Sequence, residues 1–126
     1  MIEVWLGKTA LTVRGHAGFS RYGGDIVCAA ASMLAFALAE AGQAGLKTPP
    51  VIESGCGGFR LEVSADKREQ ARLDGMFETV RAGYRLLSAR YPDYVRVLGE
   101  RDPENKLERP ECRPLEGQKE ERNGEV

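Results

Sequence analysis

One histidine, one tryptophan and three cysteines are the whole supply of several chemically versatile residue types in this 126-residue chain. A single His with scattered Cys gives no zinc-ligand spacing, so no metal is expected. An odd cysteine count at irregular spacing provides no disulfide framework and points to a reducing compartment, the cytoplasm. Charge of one sign is also missing. Lys plus Arg total 18 against 19 Asp plus Glu, which argues against a broad nucleic-acid footprint. Long apolar runs are absent too. Ile26 to Ala39 is 14 residues, short of the roughly 18–20 that span a bilayer, and no membrane partner is expected. Asp25 precedes that run, where a signal peptide would carry cations. Gly23-Gly24 lacks the Lys-[Ser/Thr] that completes a phosphate-binding loop, and no cofactor is implied.

What is present divides near Glu100. Residues 1–100 scatter 12 basic and 11 acidic residues among apolar ones. Residues 101–126 carry 6 basic and 8 acidic residues, three prolines, and of apolar side chains only Leu107, Cys112, Leu115 and Val126. That composition cannot bury enough apolar surface to offset the entropy of ordering, so 1–100 reads as the folded domain and 101–126 as a disordered tail.

Within the domain, Ile2, Val4 and Leu6 alternate with Glu3 and Trp5, and Leu11 and Val13 alternate with Thr12 and Arg14. Gly7-Lys8-Thr9 links them as a hairpin. Val51–Ser54 and Phe59–Ser64 form a second pair around Gly55-Cys56-Gly57-Gly58, and Tyr94–Leu98 is a last strand. Two helices intervene. One, from Ile26 to Ala44, is apolar nearly all round and must be covered on both sides. The other, capped by Asp66 and stopped by Pro92, carries Leu73, Met76, Phe77, Val80, Tyr84, Leu87 and Tyr91 on one stripe. The order ββαββαβ predicts an α+β fold, two helices packed on a small, largely antiparallel sheet.

The chemistry concentrates in Gly15–Cys28, between the second strand and the first helix. His16 stands at the strand end and Cys28 in the first helical turn. A free thiol near pKa 8.5 is mostly protonated at neutral pH. A helix start, with its unpaired N–H groups and positive dipole, together with an imidazole can lower that value to about 3.5–7.5. The same N–H groups are candidate donors to the oxyanion of a tetrahedral adduct. Asp25 has two readings: an N-cap accepting from Val27 or Cys28, or a carboxylate orienting His16. Ser32, one turn beyond Cys28, reads as a polar contact beneath the site or a hydroxyl bonded to its own helix. Gly18, Gly23 and Gly24 give the connecting loop freedom to move.

The run GHAGFSRYGGDIVCAAAS resembles the Prp family of ribosomal-processing cysteine proteases. The likeness lies in Gly-His-Ala, a glycine-bearing loop, and Gly-x-Asp-Ile-Val-Cys-Ala-Ala with Ser32 following, His16 and Cys28 being twelve positions apart. It extends over about residues 1–100. The resemblance implies a cysteine endopeptidase that removes a short N-terminal extension from a large-subunit ribosomal protein, cutting after a phenylalanine-rich sequence. It implies Cys28 as nucleophile, His16 as base, a mobile loop over the site, and a homodimer. The alternative is a non-catalytic, ribosome-associated binding module on the same fold.

Overall fold

The structure is a computed structural model that describes residues 1–20, 24–55 and 57–100. Gly23, Cys56, Cys112 and the charged stretch 101–126 lie outside the described residues, and with them the expectation of a disordered tail.

Five strands form one sheet: β1 (Ile2–Leu6), β2 (Ala10–Arg14), β3 (Val51–Gly55), β4 (Gly58–Glu62) and β5 (Val95–Gly99), in the spatial order β3-β4-β2-β1-β5. The pairings β1–β2, β2–β4 and β3–β4 are antiparallel, and β1–β5 is parallel. Helices α1 (Ile26–Gly45) and α2 (Gln70–Arg90) complete the predicted ββαββαβ order. The α+β expectation is met.

Register explains which sheet face is apolar. Side chains alternate along each strand, and pairing sets Val4 beside Val13 and Val13 beside Phe59. It likewise sets Leu6 beside Leu11 and Leu11 beside Leu61. Ile2 adjoins Val95 at the far edge. These residues meet Val27, Ala31, Ala35 and Leu38 of α1 and Leu73, Phe77, Val80, Tyr84 and Leu87 of α2 in one core. The predicted α2 stripe is buried through five of its seven members, with Met76 and Tyr91 packed at the margin. Trp5 points the other way, 6 % exposed, with the Arg14 guanidinium 4.7 Å over its ring.

Several boundaries differ from the sequence reading. Asp66 caps a 3₁₀ turn, Lys67–Glu69, through a reciprocal capping box with Glu69, and α2 begins only at Gln70. Glu69 is committed twice there, since its other carboxylate oxygen accepts the Lys47 N–H at 2.7 Å and ties the exit of α1 to the entry of α2. Strand β4 stops at Glu62, and β5 runs one residue later than expected.

The helices lie antiparallel. Gly45 near the end of α1 meets Arg72 near the start of α2, whose guanidinium donates to the Gly45 carbonyl at 2.6 Å. Farther along, the Tyr84 hydroxyl donates to the Ala31 carbonyl at 2.8 Å. Burial pushes the Tyr84 phenol pKa well up, so the group stays a donor. Helix α1 is 20 residues long and, by length and composition, apolar enough to cross a membrane, beyond the 14-residue run counted in the sequence. Its buried residues Val27, Ala31, Ala35, Leu38 and Gly42 recur at helical spacing and dock on the core. The opposite face leaves Ile26 58 %, Met33 63 % and Phe36 55 % exposed.

The two glycines inside α2 have unlike surroundings. A Cβ on Gly83 would stand 2.5 Å from Leu34 Cδ2, whereas one on Gly75 would meet nothing within 4 Å. Gly75→Ala should therefore raise stability by about 1 kcal/mol through helix propensity. Gly83→Ala gains the same propensity but overpacks the helix contact, a penalty of about 1–3 kcal/mol. Its net effect is expected to be neutral or destabilising. Urea unfolding of both variants checks the contrast, and equal stabilisation by both would contradict the close helix approach.

Candidate active site

Four anchors hold residues 15–19 in place. At the end of β2, the Gly15 N–H donates to the Gly57 carbonyl at 2.8 Å. Gly15 has φ +95, and a Cβ there would run into the Met1 carbonyl, so only glycine fits without strain. The His16 carbonyl then accepts from the amino terminus of Met1 at 2.6 Å. The Ala17 methyl enters the core, 4 % exposed. Gly18, at φ +71, turns the chain, and Phe19 follows with its N–H donating to Asp25 Oδ2 at 3.0 Å.

The Phe19 ring is itself docked. It stands edge-on to Tyr91 at 5.5 Å and to Tyr94 at 5.2 Å between centroids. Each such pair contributes roughly 0.5–1.5 kcal/mol beyond area burial. In this structure the start of the expected mobile loop is fastened at an aromatic notch. Sequence reasoning assigned Tyr91 to the core stripe and gave Phe19 no role. Three aromatics on three separate segments carry no shared period that would have linked them.

The cysteine side is organised by Asp25. This residue is the N-cap of α1 in extended conformation, and its Oδ1 accepts from the Val27 and Cys28 N–H groups, each at 3.0 Å. Its Oδ2 takes Phe19 at 3.0 Å and Ser20 at 3.4 Å. The capping reading is therefore the observed one, and all four bonds go to backbone amides. Desolvation pushes the Asp25 pKa up, but these four N–H donors, led by Cys28, hold it below its ordinary value of 3.8.

The cap makes these amides less available to an oxyanion: Val27 and Cys28 N–H are bound to the Asp25 carboxylate, and Ala29 N–H donates to the Asp25 carbonyl at 3.0 Å. The sulfur is served from the other side. Ala17 N–H donates to Cys28 Sγ at 3.3 Å. The residue next to His16 thus touches the cysteine sulfur, and the two predicted chemical residues share one corner of the fold.

His16 is exposed and Cys28 half-buried. The imidazole lies against the β3–β4 turn, with Nε2 3.7 Å from where a Cβ on Gly57 would stand. Gly57, at φ +76, therefore serves as both turn residue and floor for the ring. The glycine run around position 56 was legible as a turn, yet its contact with the histidine was not. Ser32 is exposed on α1, and among the described residues no hydrogen bond joins it to His16, Asp25 or Cys28. Gly24 is exposed immediately before the cap.

A carboxylate held below its usual pKa adds stability that is complete above the unfolded value and is lost as pH falls through the folded value. Asp25 should behave so, losing its contribution as pH drops below about 3.8. Asp25→Ala should destabilise the protein by about 1 kcal/mol at pH 7, as lost caps do. The difference between wild type and variant should shrink toward pH 2. Thermal melts across that range test this, and a pH-independent difference would contradict it.

Comparison with known proteins places this geometry. The sequence model of the family described as Cysteine protease Prp matches residues 1–96. No curated protein sequence matches the chain. Among solved structures, the essential ribosomal processing protease Prp from S. aureus with a covalently linked product peptide is similar at TM-score 0.65 and 23% identity, over 78% of this chain and 96% of that one. The S. aureus protease with a substrate peptide is similar at TM-score 0.61 and 20% identity, over 78% and 96%. SMU.848 from Streptococcus mutans is similar at TM-score 0.59 and 24% identity, over 78% and 90%. At these identities the structural likeness is one of fold.

Proposed function

This chain belongs to the Prp family of cysteine proteases, and from that membership we propose that it trims a short N-terminal extension from a large-subunit ribosomal protein in the cytoplasm. The observation that carries the assignment of the site is the 3.3 Å contact from Ala17 N–H to Cys28 Sγ, which puts the histidine-bearing segment against the thiol. The S. aureus protein of the same fold is described as a ribosomal processing protease and was captured with substrate and product peptides.

Cys28 is the proposed nucleophile and His16 its proton carrier. His16 takes the thiol proton, leaving thiolate and imidazolium. A sulfur electron pair then forms the S–C bond with the scissile carbonyl, while the carbonyl π pair moves to oxygen. Collapse re-forms the carbonyl and breaks the C–N bond, with the His16 proton going to the departing amine. Water, deprotonated by His16, attacks the thioester and releases the second product. His16 is exposed, and the proposed chemistry requires its imidazole to reach both the sulfur and an incoming peptide.

The peptide bond cut is expected to follow a hydrophobic, phenylalanine-rich sequence. A peptide of that composition should be cleaved at one position by wild type. Cys28→Ala and His16→Ala should each reduce cleavage by on the order of 10⁴-fold or more, with circular dichroism unchanged. Mass spectrometry maps the cut, and a fully active Cys28→Ala would overturn the assignment.

A homodimer is part of the same proposal. Ile26, Met33 and Phe36 leave an apolar stripe on α1, large side chains that a second copy would cover. Light scattering should give twice 13.8 kDa for wild type. Met33→Glu with Phe36→Glu should halve that mass, and a monomeric wild type would refute the dimer.

A further inference from the structure

We infer that the backbone N–H of Ala17 is the oxyanion donor of this site, receiving the negative charge from the Cys28 sulfur as the tetrahedral adduct forms. The inference rests on the proposed cysteine-protease chemistry and deepens it by naming the group that stabilises the adduct.

Among the described residues few amides are placed to serve as this donor. An acyl-transfer adduct places its oxygen one bond angle from the attacking sulfur, so its donor must sit close to both atoms. Three amides of the helix start, the usual source of such donors, are occupied: Asp25 Oδ1 holds the Val27 and Cys28 N–H groups, and the Asp25 carbonyl holds that of Ala29. To turn to an oxyanion, Val27 or Cys28 would have to abandon a charged cap, and Ala29 a helix hydrogen bond. The hydrogen bond to the sulfur comes instead from Ala17, at 3.3 Å.

That donor is also rigid, as electrostatic stabilisation requires. The Ala17 methyl is 4 % exposed in the core. On one side the chain is fixed by Gly15 N–H to the Gly57 carbonyl and by the Met1 amino terminus to the His16 carbonyl. On the other, Phe19 is bound to Asp25 Oδ2 and seated at Tyr91 and Tyr94. The N–H faces the thiolate before attack. As the sulfur pair becomes the S–C bond and the π pair moves to oxygen, the same N–H follows the charge to oxygen without transferring its proton.

A backbone donor is removed by an amide-to-ester change, and the chain offers a route to it. A synthetic 1–27 thioester can be ligated to expressed 28–126 at Cys28 to give the full protein, with L-lactate replacing Ala17 so that the N–H becomes an ester oxygen. Glycolate replacing Gly18 is the control for esterification of the loop. The Ala17 ester should lower kcat by about 100-fold with little change in KM, in line with loss of one oxyanion donor. A peptide aldehyde, which forms a tetrahedral adduct on Cys28, should bind about 100-fold more weakly. Alkylation of Cys28 by iodoacetamide, which creates no oxyanion, should stay within about threefold of wild type. The inference is overturned if the Ala17 ester cleaves like the Gly18 ester, or if alkylation falls as far as cleavage, since the N–H would then act on the sulfur alone. If wild type cuts no peptide, the proposed function fails separately, while aldehyde affinity still reports on the amide.

Discussion

One carboxylate joins the two halves of the site. Asp25 Oδ1 closes the first turn of α1, and Asp25 Oδ2 binds Phe19 and Ser20 from the strand exit. The helix positions Cys28 and the strand positions His16, so the relation between sulfur and imidazole runs through this residue. Its charge is held by four N–H donors, and charge-assisted bonds of this type are roughly twice as strong as neutral ones. The bonds are divided by oxygen atom. Oδ1 serves the helix and Oδ2 the strand exit, so one side chain ties both together.

The sheet supplies the complementary rigidity. Strand β2 is central, paired on both sides, so its end at Arg14 is a fixed origin for the segment that follows. The β3–β4 turn reaches the same end of the sheet, where the Gly57 carbonyl accepts from Gly15 and the Gly57 backbone lies under His16. A side chain at position 57 would be strained at φ +76, while its Cβ would stand in ordinary contact with the imidazole. The end of β2 and the β3–β4 turn therefore meet beside the histidine, and Tyr91, the C-cap of α2, packs on Phe19.

Much of this was legible because the relevant signals are local. Alternation in Ile2–Leu6 and Leu11–Val13, the helical period of Leu73 to Leu87, and the Asp25 cap each depend on neighbours within a few positions. That His16 and Cys28 would lie in one corner was legible because both residues stand beside the ends of regular elements. What was not legible depends on long-range placement. Strand β5 pairs parallel to β1 although some 90 residues separate them, and the register has no turn to announce it. The Phe19–Tyr91–Tyr94 cluster and the Ala17–Cys28 contact have the same character. The helix-start amides are a local competition of another kind: Asp25 as N-cap takes the Val27 and Cys28 N–H groups that an oxyanion would otherwise use, and the two uses exclude one another.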